Sequence, residues 1–289
     1  HRDLHSFPTR RSSDLVLIPE EDRNTLCVSS QVGCAMGCSF CLTGAMGFCR
    51  NLTTAEIVNQ VCAVRDWTLA HDKGLLTNIV FMGMGEPLAN FDNLLDAIAI
   101  LTEQRGLDFS NRRITVSTCG LVPQMRRLGE ETDVNLAVSL HAVNDEVRSR
   151  LMPVNKRYPI AELIEVCRTY RQKRRKRIMF EYTLLQGIND SDADAVQLAE
   201  LLREVPCKIN LLAVNPGSGS AYQSPGEERV LCFQRILRDR GYTVFIRTSR
   251  GEDISAACGQ LAGKGWNEEQ AISLDKTTLQ STGTDDNRP

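Results

Sequence analysis

The chain has 289 residues, is 42% hydrophobic and carries a net charge of -2, so it can bury a full core but has no global basic excess for coating a polyanion. No stretch approaches the roughly 20 apolar residues of a membrane span, and the start of the chain has no apolar signal-peptide core. Eleven cysteines is a high, odd count, which suits metal ligation and reactive thiols in a reducing cytoplasm better than a disulfide framework.

Residues 1–15 show no clear period and read as a foreign leader outside the fold. Residues 16–263 read as the core, and residues 264–289 as a polar, disordered tail. A strand is expected over 25–30, running into a cysteine-rich loop. A helix over 53–71 starts at a capping box of Thr53 and Glu56, with Ile57, Val61 and Val64 on one face. A short apolar strand over 78–82 ends in Gly83-Met84-Gly85-Glu86-Pro87, and a helix over 93–104 follows. The strand over 113–117 ends at Thr118-Cys119-Gly120 and leads into a helix to about residue 128. The strand over 134–140 ends at His141, before helices over 145–151 and 160–171. Next come a strand over 178–185, a helix over 191–204 capped by Ser191, and a strand over 208–214 ending at Asn215-Pro216. A second capping box, from Ser224, Pro225 and Glu227, opens a helix over 224–239. A strand over 242–247 and a short helix over 253–261 complete the pattern. Short apolar strands alternating with helices indicate an α/β fold of parallel βαβ units, in a barrel or sheet. Function in such folds collects at the C-terminal ends of the strands.

Cys34, Cys38 and Cys41 form a C-x3-C-x2-C triplet in the loop after the first core strand. A structural zinc knuckle would need Cys27 or Cys49 as a fourth ligand, and only one C-x2-C pair is present. Three cysteines in one loop suit a [4Fe–4S] cube whose fourth iron stays open, with Phe40 as a shield. Gly83 to Pro87 is either a tight strand-to-helix turn or a close backbone approach to a ligand, with Gly85 and Glu86 placed to meet a ligand ammonium. Ser117, Ser139, Leu140, His141 and Asn215 lie at other strand ends. Singly each is a turn residue, and His141 alone reads as a structural histidine; on one rim they could line a ribose, carboxylate and adenine pocket. Six of the seven residues at 171–177 are basic, which fits either a solvated helix terminus or an RNA contact.

The triplet with its aromatic residue before the third cysteine resembles the radical S-adenosylmethionine superfamily, and Gly83 to Pro87 resembles the superfamily element that holds the methionine amino group. Cys27-Val-Ser-Ser-Gln-Val-Gly-Cys34, Gly47-Phe-Cys49-Arg50-Asn51-Leu52 and Ala257-Cys258-Gly-Gln-Leu261 occur in the same chain, in order with these. The whole set resembles the RlmN/Cfr family of radical-SAM RNA adenosine methyltransferases, over about residues 16–263. The resemblance implies a partial (β/α)6-type barrel with a short C-terminal extension, and a missing N-terminal accessory domain. It implies a [4Fe–4S] cluster on Cys34, Cys38 and Cys41, and S-adenosylmethionine bound by Gly85, Glu86, Ser117, Ser139, Leu140, His141 and Asn215. It also implies that Cys258 becomes S-methylated and is then activated as a carbon radical that adds to the adenine ring. Cys27 then attacks the resulting protein–RNA thioether and forms a transient disulfide with Cys258, which thiol reduction resets. The family's glutamate base falls on Asp14, inside the segment set aside as a leader. The Gln31-Val32-Gly33 and Gly47-Phe48 forms favour the C2-methylating branch over the C8-methylating one. The C2 branch acts on 23S rRNA in the peptidyl-transferase region and on tRNA beside the anticodon. The resemblance further implies an electron donor such as flavodoxin, a monomer and no membrane partner.

Overall fold

The computed structural model describes residues 5–8, 14–20, 23–170, 177–214 and 222–247. The chain opens with β1 (His5–Pro8), β2 (Asp14–Pro19) and β3 (Asn24–Cys27), which pair antiparallel in that order. A small hairpin of β4 (Gln31–Gly33) and β5 (Phe48–Asn51), which the sequence pattern does not announce, brackets the cysteine loop and the one-turn helix α1 (Leu42–Ala45). Helix α2 (Thr54–Ala70) starts at the expected capping box, and Arg50 holds Glu56 through two further bonds of 2.8 and 2.9 Å. The hairpin is thereby tied to the first helix of the barrel.

The βαβ succession follows: β6 (Leu76–Phe81), α3 (Phe91–Thr102), β7 (Ile114–Thr118), α4 (Val122–Glu131) and β8 (Asn135–Ser139). It continues through α5 (Asp145–Leu151), α6 (Ile160–Thr169), β9 (Ile178–Leu184), α7 (Asp192–Leu201), β10 (Cys207–Ala213), α8 (Glu227–Asp239) and β11 (Val244–Arg247). From β3 onward, β6, β7, β8, β9, β10 and β11 add in sequence order, all parallel. The sheet curls into a half-barrel with the helices outside, the expected partial-barrel class.

Alternation along each strand sorts the side chains between two faces. Ile79, Phe81, Ile114, Val116, Leu136, Val138, Phe180, Tyr182, Ile209 and Leu211 join the buried faces of the helices in one apolar core. Their strand neighbours, including Cys27, Ser117, Ser139, Glu181, Asn210 and Arg247, point to the inner face. Leu15, read from the sequence as the end of a leader, is fully buried in the same core, and Phe7 pairs with it in the sheet.

Two local expectations are corrected. Helix α8 begins at Glu227 with Gly226 at its cap and no side-chain cap bond. The Ser224 hydroxyl donates instead to the Pro225 carbonyl, so no second capping box forms. The first core strand ends at Cys27, earlier than expected, because Ser29 and Ser30 leave the ladder for Gln60 and the Met84 carbonyl.

Candidate functional site

Cys34, Cys38 and Cys41 lie half-buried at the C-terminal end of the half-barrel. The turn that carries them is held by backbone. Gly33 has φ +73°, and a Cβ there would sit 2.0 Å from the Gly47 carbonyl oxygen. The Cys34 N–H donates to that same oxygen at 2.8 Å. Ser39 anchors the far side, its N–H donating to the Leu151 carbonyl at 2.9 Å. Burial raises the Cys34 thiol to about 11, against the help of the Met36 backbone bond, and burial followed by the charges of Cys41 and Cys34 raises Cys38. Cys34 and Cys38 therefore hold their protons without a metal, and loading would release them. Among the described residues, no three His, Cys, Asp or Glu side chains converge on a single-ion site. Three thiols on one loop fit a cube that takes one thiolate per iron better than a lone zinc.

Gly83 to Pro87 crosses the end of β3 closely. A Cβ on Gly83 would meet Ser29 Oγ at 2.6 Å, and one on Gly85 (φ +96°) would meet the Gln31 side chain at 2.5 Å. In this structure it is the chain's own Val28–Gln31 segment that demands the two glycines. The crossing aims Glu86 inward, where it is buried. Its Oε2 accepts the Cys119 N–H at 2.8 Å and its Oε1 accepts the Leu88 N–H at 3.1 Å. Desolvation raises its pKa against these bonds. The side chains of Cys119 and Thr118 also bond this carboxylate.

The other rim residues are stitched to one another. His141 adopts φ +57°, and its Nδ1 accepts the Thr183 N–H at 2.9 Å, which leaves the ring proton on Nε2. Its pKa is lowered to about 3, first by burial and then by the Arg148 charge. Phe40 packs edge-on against it at 4.9 Å, so the cysteine loop rests on the end of β8. Leu140 is buried and its N–H donates to the Glu181 carbonyl at 3.0 Å. Ser117 and Ser139 stand half-buried on the inner face of β7 and β8.

Arg148 is the main residue that sequence reasoning missed. It is fully buried and donates to the carbonyls of Cys119 (2.7 Å), Ser139 (3.2 Å) and Leu140 (3.2 Å), and to Asn155 Oδ1 (2.9 Å). It joins the ends of β7 and β8, and its charge favours the ionised Cys38 thiol. Its position on the inner stripe of α5, three residues before buried Leu151, was the available signal.

Cys27 is buried on the inner face of β3, packed with Val16 and Met84 and flanked by Met82. The fold thus brings Cys27, the triplet, Gly85, Glu86, Ser117, Ser139, Leu140 and His141 to one end of the barrel. Asn215, Cys258, the expected helix over 253–261 and the tail over 264–289 lie outside the described residues, as does the basic stretch except for Arg177.

The chain is similar to known proteins over most of its length. The Radical SAM superfamily profile matches residues 28–199. The dual-specificity RNA methyltransferase RlmN of Desulfotalea psychrophila is 61% identical over 275 residues, covering 93% of this chain and 73% of the relative. That of Geobacter sulfurreducens is 57% identical over 254 residues, covering 88% and 69%. The crystal structure of a radical SAM methyltransferase from Sphaerobacter thermophilus superposes with a TM-score of 0.85 at 51% identity, covering 89% of this chain and 76% of that one.

Proposed function

The chain belongs to the radical SAM superfamily and, within it, to the RlmN family of RNA methyltransferases, and we propose that it methylates C2 of adenosine in 23S rRNA and in tRNA. It is a radical-SAM RNA methyltransferase that works with a [4Fe–4S] cluster and S-adenosylmethionine. When bound, these supply radical chemistry, which an sp2 ring carbon needs because it is no nucleophile for direct methyl transfer.

Cys34, Cys38 and Cys41 would hold the cluster. Gly85, Glu86, Ser117, Ser139, Leu140, His141 and Asn215 would cradle the cofactor. Neutral His141 can offer Nε2–H without adding a charge beside a sulfonium. Cys258 would carry the methyl group to the base, and Cys27 would free the product by attack on the thioether. The observation that carries this reading is the place of Cys27. It is a thiol outside the triplet, yet it is buried on the inner face among Val16, Met82 and Met84. A cluster alone does not require it. The enzyme would act as a cytoplasmic monomer and draw electrons from a donor such as flavodoxin.

Two mass measurements test the reading. Nucleosides from RNA treated with the reconstituted enzyme should contain C2-methyladenosine, and the isolated protein should carry one added methyl on Cys258. Methylation at C8 would reassign the target carbon. An unmodified Cys258 in an enzyme that still methylates RNA would remove the methyl-cysteine route.

A further inference from the structure

Among the described residues, one carboxylate oxygen of Glu181 has no hydrogen-bond partner. The residue is only 6% exposed. Oε1 accepts from Asn210 Nδ2 at 2.9 Å, whereas Oε2 accepts no hydrogen bond among the described residues. Phe180 and Tyr182 on either side enter the helix-facing core, so Glu181 points to the inner face of the half-barrel, as Asn210 does between Ile209 and Leu211. Ser139, Glu181 and Asn210 stand side by side in register across β8, β9 and β10.

Arg247 connects this wall to the opposite one. Burial raises the Glu181 carboxyl and the Arg247 charge offsets this only in part, while Arg247 Nη1 reaches Met82 Sδ at 3.8 Å. Met82 packs with Cys27. Glu181 and the thiol assigned to product release are therefore linked across the inner face through Arg247 and Met82. Of the residues assigned to the cofactor, Ser139 neighbours Glu181 across β8 and β9, whereas Gly85, Glu86 and His141 lie at the strand ends beside the cysteine loop.

Burying a carboxylate oxygen without a donor is unfavourable, and such an atom calls for a partner such as a bound ligand. The partner must bring an N–H or O–H group to the Cys27 side of the barrel. We propose that Glu181 is a specificity-determining residue whose Oε2 accepts the exocyclic amine of the target adenine, with Asn210 fixing the carboxylate. That amine distinguishes adenine from guanine and hypoxanthine, whose carbonyl oxygen at the same position would face Oε2 lone pair to lone pair. The proposal rests on the reading of the chain as an adenosine methyltransferase.

The test is a double-substitution cycle on the full chain with its cluster reconstituted. Wild type and Glu181→Gln are each given RNA carrying adenosine or purine riboside, which lacks the amine, at the target. Each change alone should lower kcat/KM for RNA methylation roughly 10- to 100-fold. Both together should cost no more than the larger single loss, and the intrinsic reactivity difference between the two bases cancels in the cycle. Losses that multiply would overturn the proposal, as would full activity of Glu181→Gln on adenosine RNA. Weakened S-adenosylmethionine binding in equilibrium dialysis, with an unchanged response to purine riboside, would move the acceptor to the cofactor and also overturn it. Where the glutamine variant does not fold, Glu181→Asp draws the acceptor back and should show the same coupling. Failure of the wild type to methylate adenosine RNA would count against the assigned function instead.

Discussion

Oε2 of Glu86 accepts the backbone N–H of Cys119 at 2.8 Å, and this bond joins the C-terminal ends of β6 and β7. Glu86 is thus both a wall of the cofactor site and a staple of its rim. Glu86→Ala leaves the N–H groups of Cys119 and Leu88 buried and unpaired. It should destabilise the fold by about 2–4 kcal/mol in urea unfolding, before any cofactor is added. Glu86→Gln keeps one acceptor and should lose about half as much. Unchanged stability in both variants would mean that the bond is dispensable.

Arg148 serves four oxygens across two strand ends and a turn. Arg148→Met leaves all four without their donor, and a loss of about 3–5 kcal/mol is expected. Arg148→Lys keeps the charge but not the planar fork, so it should recover less than half of that loss. Thermal unfolding of the three proteins at one pH decides the matter.

Gly33 and Gly47 both have positive φ, +73° and +75°, yet they should respond differently to alanine. A Cβ on Gly33 would collide with the Gly47 carbonyl at 2.0 Å, whereas one on Gly47 meets nothing within 4 Å. Gly33→Ala should break the hairpin that frames the cysteine loop, and iron bound per chain after reconstitution should fall by more than half. Gly47→Ala bears only the left-handed backbone cost, about 1 kcal/mol, and should load iron nearly normally.

His141 makes stability depend on pH. Its pKa is about 3 in the fold against its usual 6.5, so between these values the unfolded chain binds the extra proton. Its contribution is therefore complete above pH 6.5 and is lost as the pH falls through that window. Glu86 and Glu181, with raised pKa values, act in the opposite sense: each favours the fold while protonated and withdraws that support as the pH rises. The difference between wild type and His141→Asn isolates the histidine. The drop in Tm from pH 7 to pH 5 should be smaller in the variant, by differential scanning calorimetry. An equal drop in both proteins would show that His141 charges freely in the fold.

Much of this molecule was legible from short-range pattern. The helix at Thr54–Ala70 begins where Thr53 and Glu56 announced it, and the cap at Ser191 formed with Asp194 as its reciprocal partner. These signals work because a capping box or an apolar stripe is complete within one or two turns. The box expected at Ser224 failed because Pro225 and Gly226 hold an extended entry, and a serine reaches only the donors the local backbone presents.

By itself the sequence determined the chemistry on offer: three thiols in one loop, a Gly-Met-Gly-Glu-Pro strand end, polar residues closing successive strands, and a separate thiol before the triplet. What only the tertiary structure decided is how these groups are held and which of them lack a partner. Arg148 looks like any helical arginine until the carbonyls of β7 and β8 converge on it. Glu181 looks like a lone carboxylate in an apolar strand until burial on the inner face leaves one of its oxygens with no donor among the described residues. Burial and hydrogen-bond satisfaction are properties of the space between elements, and residues far apart in the chain create that space.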